Sequence, residues 1–162
     1  MRQIFTVLLA FASLSVSQFL YAHGSETGHQ AEKVSGMITL KSSNSVKATL
    51  DKLETVLKKK GITIVTRWSH DDGANKVGIK LRKTELLIFG NPKLGSHFLT
   101  SKQTVGIDLP LKALAWEDDA GQVWLSYNDP TYIAKRHDIK DRAKIVAKMT
   151  GALKKLTSIA IK

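Results

Sequence analysis

The chain has 162 residues, 43% of them hydrophobic, with 25 Lys and Arg against 14 Asp and Glu for a net charge of +11. That is one domain's length, enough to bury a core without crosslinks. It has no Cys, which excludes disulfides, thiol nucleophiles and thiolate metal sites.

Arg2, the apolar run Ile4–Val16 and the small residue Ala22 predict a cleavable secretory signal over residues 1–22. The run is shorter than the roughly 20 residues a bilayer-spanning helix needs, so the mature chain is expected in the periplasm or outside the cell, with no transmembrane segment. Export turns the positive charge away from nucleic acid and toward anionic ligands or envelope surfaces. Residues 23–33 (HGSETGHQAEK) are polar and aperiodic and read as a flexible tail, leaving 34–162 as a single domain.

Val34–Leu40 reads as a first strand. Ser42–Ser45 offers N-caps for a helix whose apolar stripe is Val46, Leu50, Leu53 and Leu57, and Gly61 ends it. Ile62–Trp68 alternates and is β-branched, a strand that His70–Ala74 (HDDGA) is expected to break. Glu85–Phe89 opens on a charge and continues apolar, which predicts a central strand buried on both faces. Gly90-Asn91-Pro92 turns the chain into a short helix within Lys93–Gln103. Leu111–Trp116 and Val123–Tyr127 flank an Asp- and Gly-bearing loop and predict a hairpin. Asp129 and Pro130 have the chemistry of an N-cap and first helical residue. A last helix spans Asp141 to about Ile159, with Ile145, Met149, Leu153 and Leu156 inward and Lys144, Lys148, Lys154 and Lys155 outward. The order is β-α-β4-α with short helical inserts: an α+β domain, its sheet largely antiparallel and its helices on one face.

Three ordered blocks carry a resemblance: TELLIFGNP (Thr84–Pro92), GIDLPLKALAWED (Gly106–Asp118) and VWLSYNDPTYIAKRH (Val123–His137). Together they resemble the core of the domain-of-unknown-function 302 family, with a weaker match extending over about residues 38–160. The resemblance implies a fold similar to a single copy of the TATA-binding-protein-like arrangement, paired as a homodimer. It implies no nucleic-acid binding, since a fold does not fix a function, and it brings no catalytic residues with it.

The residues themselves offer several chemistries. Glu85, at the edge of an apolar strand, has the setting of an acid or base. The segment Gly90–Ser96 lacks the Lys of a phosphate loop but offers turn amides that can hold a simple anion. His70, His97 and His137 have no metal-ligand spacing, so only a fold could unite them. Cleavage after Ala22 would expose His23 as an N-terminal amine–imidazole chelate suited to Cu(II), with His29 nearby as a further nitrogen. No Ser stands in a nucleophile-elbow pattern. Trp116 and Trp124 in the hairpin favour packing or a dimer interface over a ligand pocket.

The leading expectation is a non-enzymatic homodimeric module for a small anionic ligand or an envelope partner, with His70, Glu85, Asn91, Asp108 and His137 as binding residues. Two readings stand beside it: copper handling through His23 and His29, and a hydrolase-like enzyme using Glu85 or a His–Asp pair.

Overall fold

The computed structural model describes residue 31 and residues 33–162; the predicted signal segment and both His23 and His29 lie outside them. Five strands form one antiparallel sheet: β1 (Met37–Lys41), β2 (Thr63–Ser69), β3 (Thr84–Gly90), β4 (Leu111–Glu117) and β5 (Val123–Asn128). The helices are α1 (Val46–Lys59), α2 (His70–Lys76), α3 (Pro92–Ser101), α4 (Pro130–Arg136) and α5 (Ala143–Ala160), with a 3-10 turn at Gln103–Ile107. The sheet order is β1-β5-β4-β3-β2, so β2 to β5 form a meander and β1 closes beside its last strand. This is the α+β architecture expected from the pattern.

The first helix forms for the reasons its residues give. Ser45 accepts from the Ala48 amide as N-cap. Leu50, Leu53 and Leu57 recur on one face and are fully buried, each burial stabilising by about 1.5–3 kcal/mol. Gly61, at φ +66°, turns the chain out of the helix. The faces of α1 and α5 cover one side of the sheet, where Leu87, Phe89, Ala113, Ala115, Leu125 and Tyr127 point inward. A second cluster holds α3, the 3-10 turn, α4 and α5 together through Phe98, Val105, Ile133 and Met149.

Strand alternation sends the other set of side chains to a face on which, among the described residues, neither α1 nor α5 packs. There Trp68, Leu86, Leu114, Ser126 and Thr39 pair across all five strands. Trp116 and Trp124 stack beside them, with ring centroids 6.3 Å apart, and the Trp116 indole donates to Ser126 Oγ at 2.9 Å. The Trp124 indole donates to buried Asp118 at 2.6 Å. Asp118 also accepts from the Ala120 and Gln122 amides, which fixes the β4–β5 loop.

Two expectations change. The segment His70–Ala74 is a helical turn, α2, rather than a break: Ser69 caps it by accepting from the Asp72 amide, and Asp71 and Asp72 sit in its first turn, where the helix dipole favours carboxylates. β3 is interior but not buried on both sides: Leu87 and Phe89 are buried, whereas Leu86 and Ile88, on the other face, are half-buried.

Candidate functional site

The predicted site residues fall in separate places. Asp108, in the loop before β4, and His137, at the end of α4, are brought together: His137 Nε2 lies 2.6 Å from Asp108 Oδ2. Arg136 adds a guanidinium to the same carboxylate at 3.1 Å, and Thr104 Oγ1 is 3.3 Å from His137 Nδ1. A hydroxyl, an imidazole and a carboxylate in a row can activate a nucleophile. Here Thr104 stands on the exposed surface and none of the three lines either hollow described below. The arrangement works as a tie between the two segments. Sequence spacing could not find it, because Thr104, Asp108 and His137 meet only when α4 packs against the 3-10 turn.

Glu85 is held in a network on the helix side of the sheet. Arg67 Nε donates to Glu85 at 2.6 Å and Arg67 Nη1 to Asp51 of α1 at 2.6 Å. Hydrogen bonds from Lys47, then Arg67, hold the Asp51 carboxyl below its ordinary value. Burial works against the Arg67 charge, but the Asp51 and Glu85 carboxylates outweigh it and its pKa is raised. Glu85 therefore serves to clamp β2 and β3 to α1.

His70 is exposed at the first position of α2. Its neighbour Asp71, 1% exposed, is the buried carboxylate of this corner. Burial works to raise its pKa, but hydrogen bonds from Lys83 at 2.7 Å, the Thr84 amide at 3.1 Å and Ser69 Oγ at 2.9 Å outweigh burial and leave it at about 2. Among the described residues no three His, Asp or Glu side chains converge to hold a metal ion.

Asn91 lies elsewhere, at the mouth of a groove. Its side chain caps α3 by accepting from the Lys93 amide at 3.0 Å, and Pro92 follows as the first helical residue. The groove, about 470 Å³, runs between the start of β2, the end of β3, α3, the loop before β4, and α5. It opens where the two core clusters meet. Leu153 and Leu156 of α5 belong to the first, and Met149 to the second. Leu94 and Leu99 of α3 line it as well. Gly90, Gly95 and Gly106 also line it, and a Cβ on them would meet Pro110 at 3.3 Å, Leu109 at 3.8 Å and Leu99 at 3.5 Å. Among the described residues, Thr63, Asn91 and Ser96 supply its only polar side chains, and no ionisable side chain lines it. Its size lies within the roughly 300–1,000 Å³ of small-molecule sites, and so does its largely apolar character. A second hollow, between α4 and α5, is broader and more open to solvent.

Sequence periodicity assigned Met149, Leu153 and Leu156 to the core stripe of α5, and so they are; the same stripe also floors the groove. No local pattern marks the groove in the sequence, because its lining comes from segments far apart in the chain.

Residues 38–156 match the family described as "Domain of unknown function DUF302". The "Fluoride-specific ion channel FluC 1" of Brucella suis biovar 1 (strain 1330) is 43% identical over 119 residues, which cover 72% of this chain and 47% of that protein. The "Fluoride-specific ion channel FluC 2" of Brucella melitensis biotype 1 (strain ATCC 23456 / CCUG 17765 / NCTC 10094 / 16M) is 43% identical over 119 residues, 72% of this chain and 44% of that protein. The chain thus spans about half the length of these relatives. The crystal structure of the uncharacterized conserved protein DUF302 from Bacillus stearothermophilus superposes with a TM-score of 0.71 at 19% identity, covering 80% of this chain and all of that one. With the family match running from β1 into α5, the chain belongs to the DUF302 family of domains of unknown function.

Proposed function

We propose that this protein is a non-enzymatic binding module of the cell envelope, exported by its N-terminal signal and holding a small ligand in the groove between α3 and α5. The observation that carries this reading is the groove itself: an open, apolar-lined cavity of about 470 Å³ at the junction of two core clusters. A chain folding only for stability gains by closing such a space, because each unfilled contact forfeits dispersion energy.

The relatives support an envelope setting. An ion path through a bilayer is built from apolar helices or a closed barrel. Among the described residues no helix is long and apolar enough to cross a membrane, and the sheet is open, with β1 and β2 at its edges. We infer that this chain corresponds to the part of the FluC relatives that does not form the pore, a module joined to a channel.

The same reading includes a homodimer formed through the face of the sheet turned away from α1 and α5. Trp68 there is 58% exposed, and Leu86, Ile88 and Leu114 beside it are half-buried. Its strand positions carry no carboxylate and two lysines, Lys41 and Lys112, and the carboxylate beside them, Asp118, is buried under the Trp124 indole. On a chain of net charge +11, two copies meet with least repulsion on their least charged surface.

Titration of the full chain with the neutral fluorophore N-phenyl-1-naphthylamine tests the groove. Saturable binding is expected, at least tenfold weaker in Ala152→Phe, which fills the floor from a half-buried position. No saturable binding, or binding that A152F leaves unchanged in a folded protein, overturns the reading. Sedimentation of Trp68→Asp tests the dimer: the wild type is expected as a dimer and the variant as a folded monomer.

A further inference from the structure

We infer that the groove ligand is an aliphatic carboxylate, its hydrocarbon chain lying along the α5 leucines and its head group held by the lysines at the edge of that helix. This rests on the binding reading above and adds the chemical class.

The tail follows from the lining. Leu94 and Leu99 of α3 and Leu153 and Leu156 of α5 all line the groove. The single aromatic in the lining, Phe89, is 2% exposed and offers no ring face to stack on. Without a ring face to stack on, an aromatic ligand gains only its apolar area there, and flexible aliphatic walls follow a hydrocarbon chain equally well.

The head follows from charge. The sequence of α5 contains no acidic residue. Lys148 precedes the groove residue Ala152 by four positions and Lys155 follows it by three, so both stand next to Ala152 on the helix surface. Lys144, four residues before Lys148, continues the same edge. All three are exposed, and none forms a salt bridge among the described residues. With no ionisable group inside the groove and a row of ammonium groups along its edge, the complementary molecule is apolar at one end and anionic at the other. Lysines of this kind reach the edge with the charge in water and the stem along apolar surface.

Displacement of N-phenyl-1-naphthylamine from the full chain, with competitors kept below their micelle concentrations, tests the class. Dodecanoate is expected to displace the probe at a concentration at least tenfold lower than dodecanol or dodecylamine. The double variant Lys148→Gln/Lys155→Gln is expected to bring dodecanoate within about twofold of dodecanol while leaving probe affinity unchanged. Equal displacement by dodecanoate and dodecanol, with the probe still bound, overturns the carboxylate and leaves the groove reading intact; failure of the probe itself to bind overturns both. Vesicles of phosphatidylglycerol form the third arm: A152F-sensitive vesicle binding without displacement by monomeric dodecanoate would assign the surface to a bilayer and overturn the proposal. A wild-type dimer that excludes the probe and becomes monomeric in A152F would assign the groove to a second copy, which also overturns it.

Discussion

His137 and Asp108 stand 29 residues apart in the chain and 2.6 Å apart in space, with about a tenth of each side chain exposed. The contact joins the C-cap residue of α4 to the loop that leads into β4. An imidazole at a helix C-terminus is favoured by the helix dipole, and the carboxylate gives it a directed partner.

His137→Ala is therefore expected to destabilise the fold by about 1.5–3 kcal/mol, the range for a hydrogen bond to a charged group. Asp108→Asn should cost less, because the amide retains an acceptor for Arg136. Urea unfolding of both single variants and of the double variant measures the coupling. Additive effects would mean that the two side chains do not act on each other.

Arg67 joins two carboxylates on different elements, Asp51 of α1 and Glu85 of β3. Arg67→Ala leaves Glu85, only 18% exposed, without its guanidinium, and a loss of about 2 kcal/mol is expected. Lys47→Ala, which removes a far more exposed partner of Asp51, should change stability by less than about 0.5 kcal/mol. Chemical denaturation of the two variants side by side checks the ranking.

Asp71 sets an acid limit on stability. Its folded pKa of about 2 lies below the ordinary 3.8, so its ionised form stabilises the fold at all pH above the ordinary value. That contribution, about 2 kcal/mol, is lost as pH falls from about 4 through 2. Asp71→Asn should be less stable than wild type at pH 7, and the gap should narrow on acidification. Thermal melts across pH 2–7 read this directly; a pH-independent gap would show that the carboxylate's charge is not the source.

Gly36 has φ +76°, and a Cβ placed on it would meet the Tyr132 ring at 2.2–2.4 Å. Gly36→Ala is expected to cost about 1–3 kcal/mol through overpacking and the strained backbone. Adding Tyr132→Ala should recover the steric part and leave the backbone part. The Tm of the single and double variants distinguishes them.

The sequence by itself determined the strands and the main helices and their order. The stripe Val46, Leu50, Leu53 and Leu57, the capping residues Ser45 and Gly61, the hairpin around Glu117–Gln122 and the Asp129-Pro130 helix start are local signals, because a period or a cap is written within a few neighbouring residues. The family signature over Thr84–His137 lay on the same page. Helix α2 was missed because its cap, Ser69, lies at the end of a strand and its buried Asp71 finds Lys83 and Thr84 only across the fold. What tertiary structure alone decided was which polar residues meet and where space is left. Asp108 reaches His137 because α4 packs beside the 3-10 turn; Glu85 reaches Arg67 because β2 and β3 pair in one register. The groove lies where residues of two core clusters, Leu153 and Leu156 of one and Met149 of the other, come together with α3 and the loop before β4. Such features depend on distances between residues far apart in the chain, which packing sets and local propensity does not.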